Sequence, residues 1–164
     1  MIKTQQAAIK TGEALLAAGF SLATAESCTG GWIAKAVTDI AGCSAWFDRG
    51  FVTYSNAAKQ EMLGVNAATL ELHGAVSEPV VQEMAAGALA CSQAGIAVAV
   101  SGIAGPGGGT TEKPVGTICL AWAMSGRLDS ETCFFEGSRE NIRLQTVLRA
   151  LDGIQQLLYI KTGQ

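Results

Sequence analysis

The sequence predicts a three-layer α/β/α sandwich built on a mixed, mostly parallel sheet, and three observations carry that reading. Helical and strand-like segments alternate through the first half of the chain, as parallel βαβ units require. Ile96 to Val100 is an unbroken apolar run, the mark of a strand covered on both faces. Late in the chain, two strand-like segments flank a turn at Ser125-Gly126, which puts at least one antiparallel strand in the sheet.

In order, Lys3 to Ala18 carries Ile9, Leu15 and Leu16 at helical spacing and stops at Gly19, a residue suited to ending a helix. A first strand begins at Leu22 and runs into the small polar residues before Gly30-Gly31. Trp32, Ile33, Ala36 and Val37 then mark a helix that fades at Ala41-Gly42. Ser44 to Ser55 holds Trp46, Phe47, Phe51, Val52 and Tyr54 and reads as a strand with a bulge or close backbone approach at Gly50. Ala57 to Leu63 is helical and stops at Gly64; residues 65–76 are ambiguous, with a short helix over Ala67 to Leu72 as one reading. Ser77-Glu78-Pro79 is a capped helix start, and this helix is expected to continue to Gly95. After the apolar run comes a glycine-rich loop, Ser101 to Thr110, then strands over Val115 to Met124 and Thr132 to Phe135. Ser138 caps a last helix with Leu144, Val147, Leu151, Ile154 and Leu158 on its apolar side.

The 164 residues are read as one domain over 1–164, with 49% hydrophobic and 15% charged residues enough to build a core without disulfides or metal. The net charge of −3 and the lack of a basic stripe argue against nucleic-acid binding. No apolar run reaches the roughly 20 residues that span a bilayer, and the N-terminus lacks a signal-peptide apolar region, so a cytoplasmic protein is expected. Five scattered cysteines with no C-x-x-C pair, and a single histidine, make no metal site and suggest reduced, mostly buried thiols.

Most catalytic templates fail. The glycine loop fits neither a P-loop nor a dinucleotide fingerprint, and His73, in a polar turn, is the only histidine available to a Ser-His or Cys-His mechanism. What remains is a hydroxyl or thiol, Ser27 or Cys28, at the strand-to-helix junction Leu22 to Gly31, where unpaired helix N–H groups suit an oxyanion or phosphate. Lys59 is a candidate base if burial lowers its pKa, and Tyr54, five residues earlier, can orient or relay. Each has an ordinary alternative: a solvated lysine, an interfacial tyrosine, a capping serine, a buried cysteine. Arg139 and Arg143 share one face at the start of the last helix and form either a phosphate clamp or a solvated face paired with Glu136 or Glu140.

Five stretches together resemble the CinA C-terminal domain family: Ala25-Glu26-Ser27-Cys28-Thr29-Gly30-Gly31; Gly50 to Asn56 with Lys59; Gly74-Ala75-Val76-Ser77-Glu78; Ser101 to Pro106; and Lys113-Pro114-Val115-Gly116-Thr117. The resemblance covers about residues 10–150. It implies hydrolysis of the carboxamide of nicotinamide mononucleotide to nicotinate mononucleotide and ammonia, with no cofactor. The matching functional positions are Ser27, Tyr54, Lys59 and an arginine of the last helix, for which Arg139 and Arg143 both qualify. Larger members carry an N-terminal domain similar to molybdopterin-binding proteins, which is not expected here.

On that basis Ser27 is expected to attack and Lys59 to move the proton, with N–H groups near Thr29, Gly30 and Gly31 holding the oxyanion. The loop bearing Ser101, Gly102 and Gly105 would enclose the ribose phosphate, with Arg139 or Arg143 on the phosphate, and Ser44 is a further candidate through its nearness to Tyr54 in the strand pattern. A second version makes Cys28 the nucleophile with Glu26 or Lys59 as base. A third is a non-catalytic nucleotide-binding or interaction module. The small-molecule substrate is the expected partner, and a homodimer the expected assembly.

Overall fold

The computed structural model describes residues 2–162. The elements are α1 (Lys3–Ala18), β1 (Leu22–Glu26), α2 (Trp32–Thr38), a 3-10 turn (Cys43–Ala45), β2 (Phe47–Val52), α3 (Asn56–Leu63), α4 (Ala67–His73), α5 (Glu78–Ala90), β3 (Ile96–Gly102), β4 (Thr117–Met124), β5 (Arg127–Phe134) and α6 (Arg139–Thr162). One sheet has the order β2-β1-β3-β4-β5. β1 pairs parallel with β2 and β3, while β4 runs antiparallel to β3 and β5. Only β4 therefore opposes the common direction, which is the mixed, mostly parallel sheet expected.

Strand alternation sorts the core into two chemically different layers. One face presents Leu22, Ile96, Val98, Val100, Ile118, Leu120 and Trp122 to α1, α2 and α6. The other presents Ala23, Ala25, Ala97, Ala99, Ala121 and Ala123, with Cys119, to α3, α4 and α5. Bulk on the first face fills the space under three helices; alanines on the second let α5 lie close to the sheet. At Gly87 the approach is tighter still, since a Cβ there would stand 2.0 Å from the Leu63 carbonyl at the end of α3.

Several boundaries move for physical reasons. β2 begins at Phe47 rather than Ser44, because residues 43–45 form the 3-10 turn and Trp46, 3% exposed, plugs the core against Gly12. The register shift lies between Leu22 and Ala23, opposite Asp48, whereas Gly50 is a close approach in which a Cβ would meet Thr24 Oγ1 at 2.7 Å. α5 stops at Ala90, five residues before Gly95, since Gly95 and Ile96 are tied through their amides to the Ser21 carbonyl where β1 begins. β5 starts at Arg127, not Thr132. Its polar residues suit an edge strand, and Glu78 accepts hydrogen bonds from both Ser130 and Thr132. The ambiguous stretch contains α4, one residue longer than the short helix considered. Of the five thiols only Cys28 and Cys119 are buried, and Cys91 is exposed, which corrects the expectation of mostly buried cysteines.

The chain leaves β1 through α2 to β2 on one side, then crosses back by α3, α4 and α5 to β3 on the other. The strand order thus reverses between β1 and β3, and in open sheets the crevice outside the carboxyl ends at such a point is where ligands bind. Ser27 directly follows β1, and Ser101-Gly102 ends β3.

Gly87→Ala tests the packing that seats α3. Alanine in a helix interior gains up to about 1 kcal/mol over glycine, but overpacking costs about 1–3 kcal/mol and the obstacle here is a backbone carbonyl that no rotamer can move. A net loss of about 2 kcal/mol in urea unfolding is expected. The same change at exposed Gly107, where a Cβ meets nothing within 4 Å, provides the control.

Candidate active site

The turn after β1 separates two acid-base groups by side-chain alternation. Glu26, fully buried, points with Leu22 and Thr24 toward α2, where its carboxylate accepts from Thr29 Oγ1 at 2.6 Å and from the amides of Ile33 and Ala34 at 2.7 and 3.0 Å. Burial pushes its pKa up, against these hydrogen bonds and one from Gly31 that favour the carboxylate. The N-terminus of α2 is therefore filled by a side chain of the protein itself. Ser27, the next residue, faces the other way, toward α3. Its amide extends the ladder to the Val100 carbonyl at 3.0 Å, and its carbonyl accepts from Gly30 at 3.1 Å. Gly30 and Gly31 then turn the chain at φ 61° and 103°, a region that favours glycine.

Lys59 meets Ser27 from α3. Ser55 caps this helix by accepting from the Ala58 amide at 3.0 Å, which starts the helix soon enough to turn the lysine inward. Lys59 is 1% exposed, and its Nζ donates to Ser27 Oγ at 3.0 Å and to the Thr53 carbonyl at 2.9 Å. No ion pair involves it among the described residues. Burial without a carboxylate disfavours the ammonium form and lowers its pKa from the ordinary value. The arrangement supplies a hydroxyl beside an amine that can lose its proton, which is what a histidine-free nucleophile requires.

Ser27, Tyr54, Lys59, Ser101, Gly102 and Arg139 line one cavity of about 220 Å³. Arg139 donates from Nη1 to the Gly105 carbonyl at 2.8 Å, and its Nη2 lies 3.4 Å from the Tyr54 hydroxyl. Tyr54 is 63% exposed at the rim and bonds Arg139 rather than Lys59, so the structure does not give it the relay contact expected. Cys28 also lines the cavity, as do Asn56, Ala75, Val76 and Ala104, which carried no assigned role in the sequence reading. These last four all sit inside the family-like motifs, so that signal was present for each; what the sequence lacked was any reactive side chain at Ala75, Val76 and Ala104 to single them out, or a sign that Asn56 does more than follow the Ser55 cap.

Other expected residues lie elsewhere. Thr29, Gly30, Gly31 and Arg143 line a separate cavity of about 520 Å³ with Trp32 and Lys35. The amides of Gly30 and Gly31 serve Ser27 and Glu26, so they are not free oxyanion donors. Arg143 donates to the carbonyls of Cys28 and Thr29, and neither arginine pairs with Glu136 or Glu140. Ser44 falls in the 3-10 turn before β2, at the opposite end of the strands from Ser27, because β1 and β2 are parallel and Ser44 precedes β2 whereas Ser27 follows β1. His73 ends α4, is exposed, and its carbonyl accepts from Lys113 Nζ at 2.8 Å. Cys28 lines the nucleophile's cavity, but burial pushes its thiol up to about 12 and leaves it un-ionised near neutrality. No group of three or more His, Cys, Asp or Glu residues able to hold a metal occurs among the described residues, and no described helix is long and apolar enough to cross a membrane.

The CinA C-terminal domain model matches residues 4–158. The chain belongs to the CinA C-terminal domain family. Among proteins of this family, the nicotinamide-nucleotide amidohydrolase PncC of Escherichia coli (strain K12) is 56% identical over 148 residues, covering 90% of each chain. The protein of the same name from Pseudomonas putida is 53% identical over 150 residues, covering 92% of this chain and 94% of its own. The crystal structure of the competence/damage inducible protein CihA from Agrobacterium tumefaciens superposes with a TM-score of 0.92 at 46% identity, covering 96% of both chains.

The lowered Lys59 pKa has a consequence for stability. Between that value and 10.5 the unfolded chain holds the Lys59 proton and the folded chain does not, so folding gains stability as pH rises through the window. Urea unfolding of wild type and Lys59→Met across this range is expected to show the difference moving in favour of wild type with increasing pH. A difference that does not change with pH contradicts a depressed Lys59.

Proposed function

We propose that the chain is an amidohydrolase that converts nicotinamide mononucleotide to nicotinate mononucleotide and ammonia, with Ser27 as nucleophile and Lys59 as general base. The observation that carries this reading is the 3.0 Å contact between Lys59 Nζ and Ser27 Oγ in a cavity that also holds Arg139. Its support from relatives is the identity of 53–56% to proteins named nicotinamide-nucleotide amidohydrolase along about nine-tenths of the chain.

In this mechanism neutral Lys59 takes the hydroxyl proton as Ser27 Oγ bonds to the carboxamide carbon. The carbonyl oxygen becomes negative in the tetrahedral intermediate. The carbon–nitrogen bond then breaks while the lysine returns its proton to the departing ammonia, leaving an ester on Ser27. Water attacks that ester with Lys59 again removing the proton, and cleavage of the Ser27 Oγ–carbon bond restores the hydroxyl and frees the acid.

Arg139 makes no ion pair among the described residues, so its positive charge is available to a phosphate. The Tyr54 ring at the rim and the Ser101-Gly102 floor would flank the nucleotide, and the loop through Gly105 would close on the ribose phosphate. Arg143, engaged with two carbonyls, is not assigned to phosphate. Cys28 is assigned no chemical role, since a thiol held near 12 is a poor nucleophile at neutral pH.

The deciding measurement is ammonia release from nicotinamide mononucleotide, with the amide-to-acid mass gain followed in the same sample. Ser27→Ala and Lys59→Ala are expected to lose at least about 1,000-fold in kcat. Arg139→Gln is expected to act mainly on KM, raising it about tenfold or more. Cys28→Ala should retain turnover within a few-fold. Saturable nucleotide binding by wild type without product would replace the amidase reading with that of a binding module, and Lys59→Ala at near-wild-type rates would end the proposed mechanism.

A further inference from the structure

Two neighbouring strands end in a serine on the same face of the sheet. β1 turns Ala23 and Ala25 toward α5 and then presents Ser27; β3 turns Ala97 and Ala99 the same way and then presents Ser101. The parallel register pairs Ala25 with Ala99 and Glu26 with Val100, and the Ser27 amide carries it one step further by donating to the Val100 carbonyl at 3.0 Å. Ser101 therefore stands directly beside Ser27, one strand spacing of about 4.8 Å away.

Ser101 is 2% exposed and lines the same cavity as Ser27 and Lys59. Its hydroxyl makes no hydrogen bond among the described residues. Cys119, its register partner on β4, is turned to Thr132 instead. The hydroxyls of Thr24 and Thr53 also lack partners, but those are sealed in the core, whereas Ser101 opens on the cavity. A nearly buried hydroxyl without a partner is unfavourable, and whatever fills the cavity is placed to accept from it.

The negative oxygen formed when Ser27 attacks needs a donor, and the cavity holds few that are free. The Gly30 and Gly31 amides serve Ser27 and Glu26, and the Cys28 amide lies against its own sulfur. Lys59 is bonded to Ser27 and the Thr53 carbonyl. Arg139 is held by Gly105 and Tyr54, while Tyr54 and Asn56 are exposed. Ser101 is the hydroxyl left on the floor. A carbon bonded to Ser27 Oγ, its oxygen, and one hydrogen bond of about 2.7 Å together span the distance between the two strands.

We propose that Ser101 is a further catalytic residue, whose hydroxyl donates to the oxyanion formed when Ser27 attacks. The sequence placed it with the loop around the ribose phosphate; its depth in the cavity puts it at the reacting end instead, with Arg139 left to the phosphate. For the amide substrate this rests on the amidase reading. The donor role itself does not, because any acyl or phosphonyl transfer to Ser27 builds a negative oxygen in the same place.

The test compares wild type, Ser101→Ala, Ser101→Thr and Ser125→Ala, the last removing an exposed hydroxyl from the β4–β5 turn. One assay is steady-state hydrolysis of nicotinamide mononucleotide. The other is the rate at which a fluorophosphonate probe labels Ser27, a step in which the Ser27 Oγ–phosphorus bond forms, the phosphorus–fluorine bond breaks, fluoride leaves and Lys59 takes the proton. Ser101→Ala is expected to slow labelling and kcat each by about 100-fold, the size of one lost oxyanion donor. KM should stay within about twofold of wild type. Ser101→Thr keeps the hydroxyl and should run at least about tenfold faster than Ser101→Ala in both assays. Ser125→Ala should match wild type. Because the Ser101 hydroxyl bonds nothing in the protein, Ser101→Ala should also keep the wild-type urea midpoint, which loss of a structural contact would lower.

Labelling and kcat of Ser101→Ala within about threefold of wild type, a loss confined to KM, or equal slowing of Ser101→Ala and Ser101→Thr each overturns the proposal. So does a lowered urea midpoint in Ser101→Ala, which assigns the hydroxyl to the fold, and so does probe found by peptide mass on Ser101, or not at all, in wild type. A wild type that labels at Ser27 but releases no ammonia refutes the amidase reading, while the labelling ratio still decides the role of Ser101.

Discussion

Burying an amine with no carboxylate beside it is the constraint on which the rest of this structure turns. An ammonium group taken out of water is costly unless it is paired, and Lys59 is offered only a hydroxyl and a carbonyl. The neutral form is the one such surroundings favour. Holding the amine there requires the end of β2 to present the Thr53 carbonyl, α3 to begin at a capped Ser55, and α3 to sit tightly enough on α5 to exclude water. Alanines on the covered face of the sheet and Gly87 on α5 make that seating possible. The small residues that look unremarkable in the sequence are thus linked to the protonation state of one lysine.

The junction after β1 solves a second problem, keeping scaffold electrostatics apart from the reacting groups. Glu26 and Ser27 are neighbours in sequence, but strand geometry sends them to opposite faces. The carboxylate fills the amino end of α2 and anchors Thr29, so the helix terminus that reads from sequence as an anion site is already satisfied internally. A glutamate on the Ser27 side would pair with Lys59 and hold it protonated, which would disable it as a base. Its placement on the far face leaves the amine unpaired.

Local signals made most of the fold legible. Gly19, Gly64 and the Ser77-Glu78-Pro79 cap mark helix ends that the structure reproduces, and the run from Ile96 marks a strand buried on both sides. What escaped depends on partners far along the chain. The polar first half of β5 is a strand because β4 pairs with it and Glu78 satisfies its hydroxyls, 52 and 54 residues away. Ser44 read as close to Tyr54 along a continuous strand, but Trp46 leaves that strand for the core and the serine lies at the opposite end of the strands from Ser27. Ser27 and Lys59 stood out individually as a candidate nucleophile and base. Their meeting follows from the reversal of strand order between β1 and β3, which no local pattern encodes.

The two arginines of α6 show the same limit at finer scale. Four residues apart, they share a helix face, and sequence alone gives no reason to separate them. Their surroundings do. Arg139 reaches over the loop at Gly105 toward Tyr54 and keeps its charge at the mouth of the Ser27 cavity. Arg143, one turn further into the fold, meets Trp32 and the carbonyls of Cys28 and Thr29 before it can reach that cavity. A guanidinium that spends its donors on the carbonyls of Cys28 and Thr29 has little left for a phosphate and instead ties α6 to the turn that follows Ser27. One helix in this way carries an arginine at the mouth of the Ser27 cavity and another spent on the turn that follows Ser27, with a single turn deciding which is which.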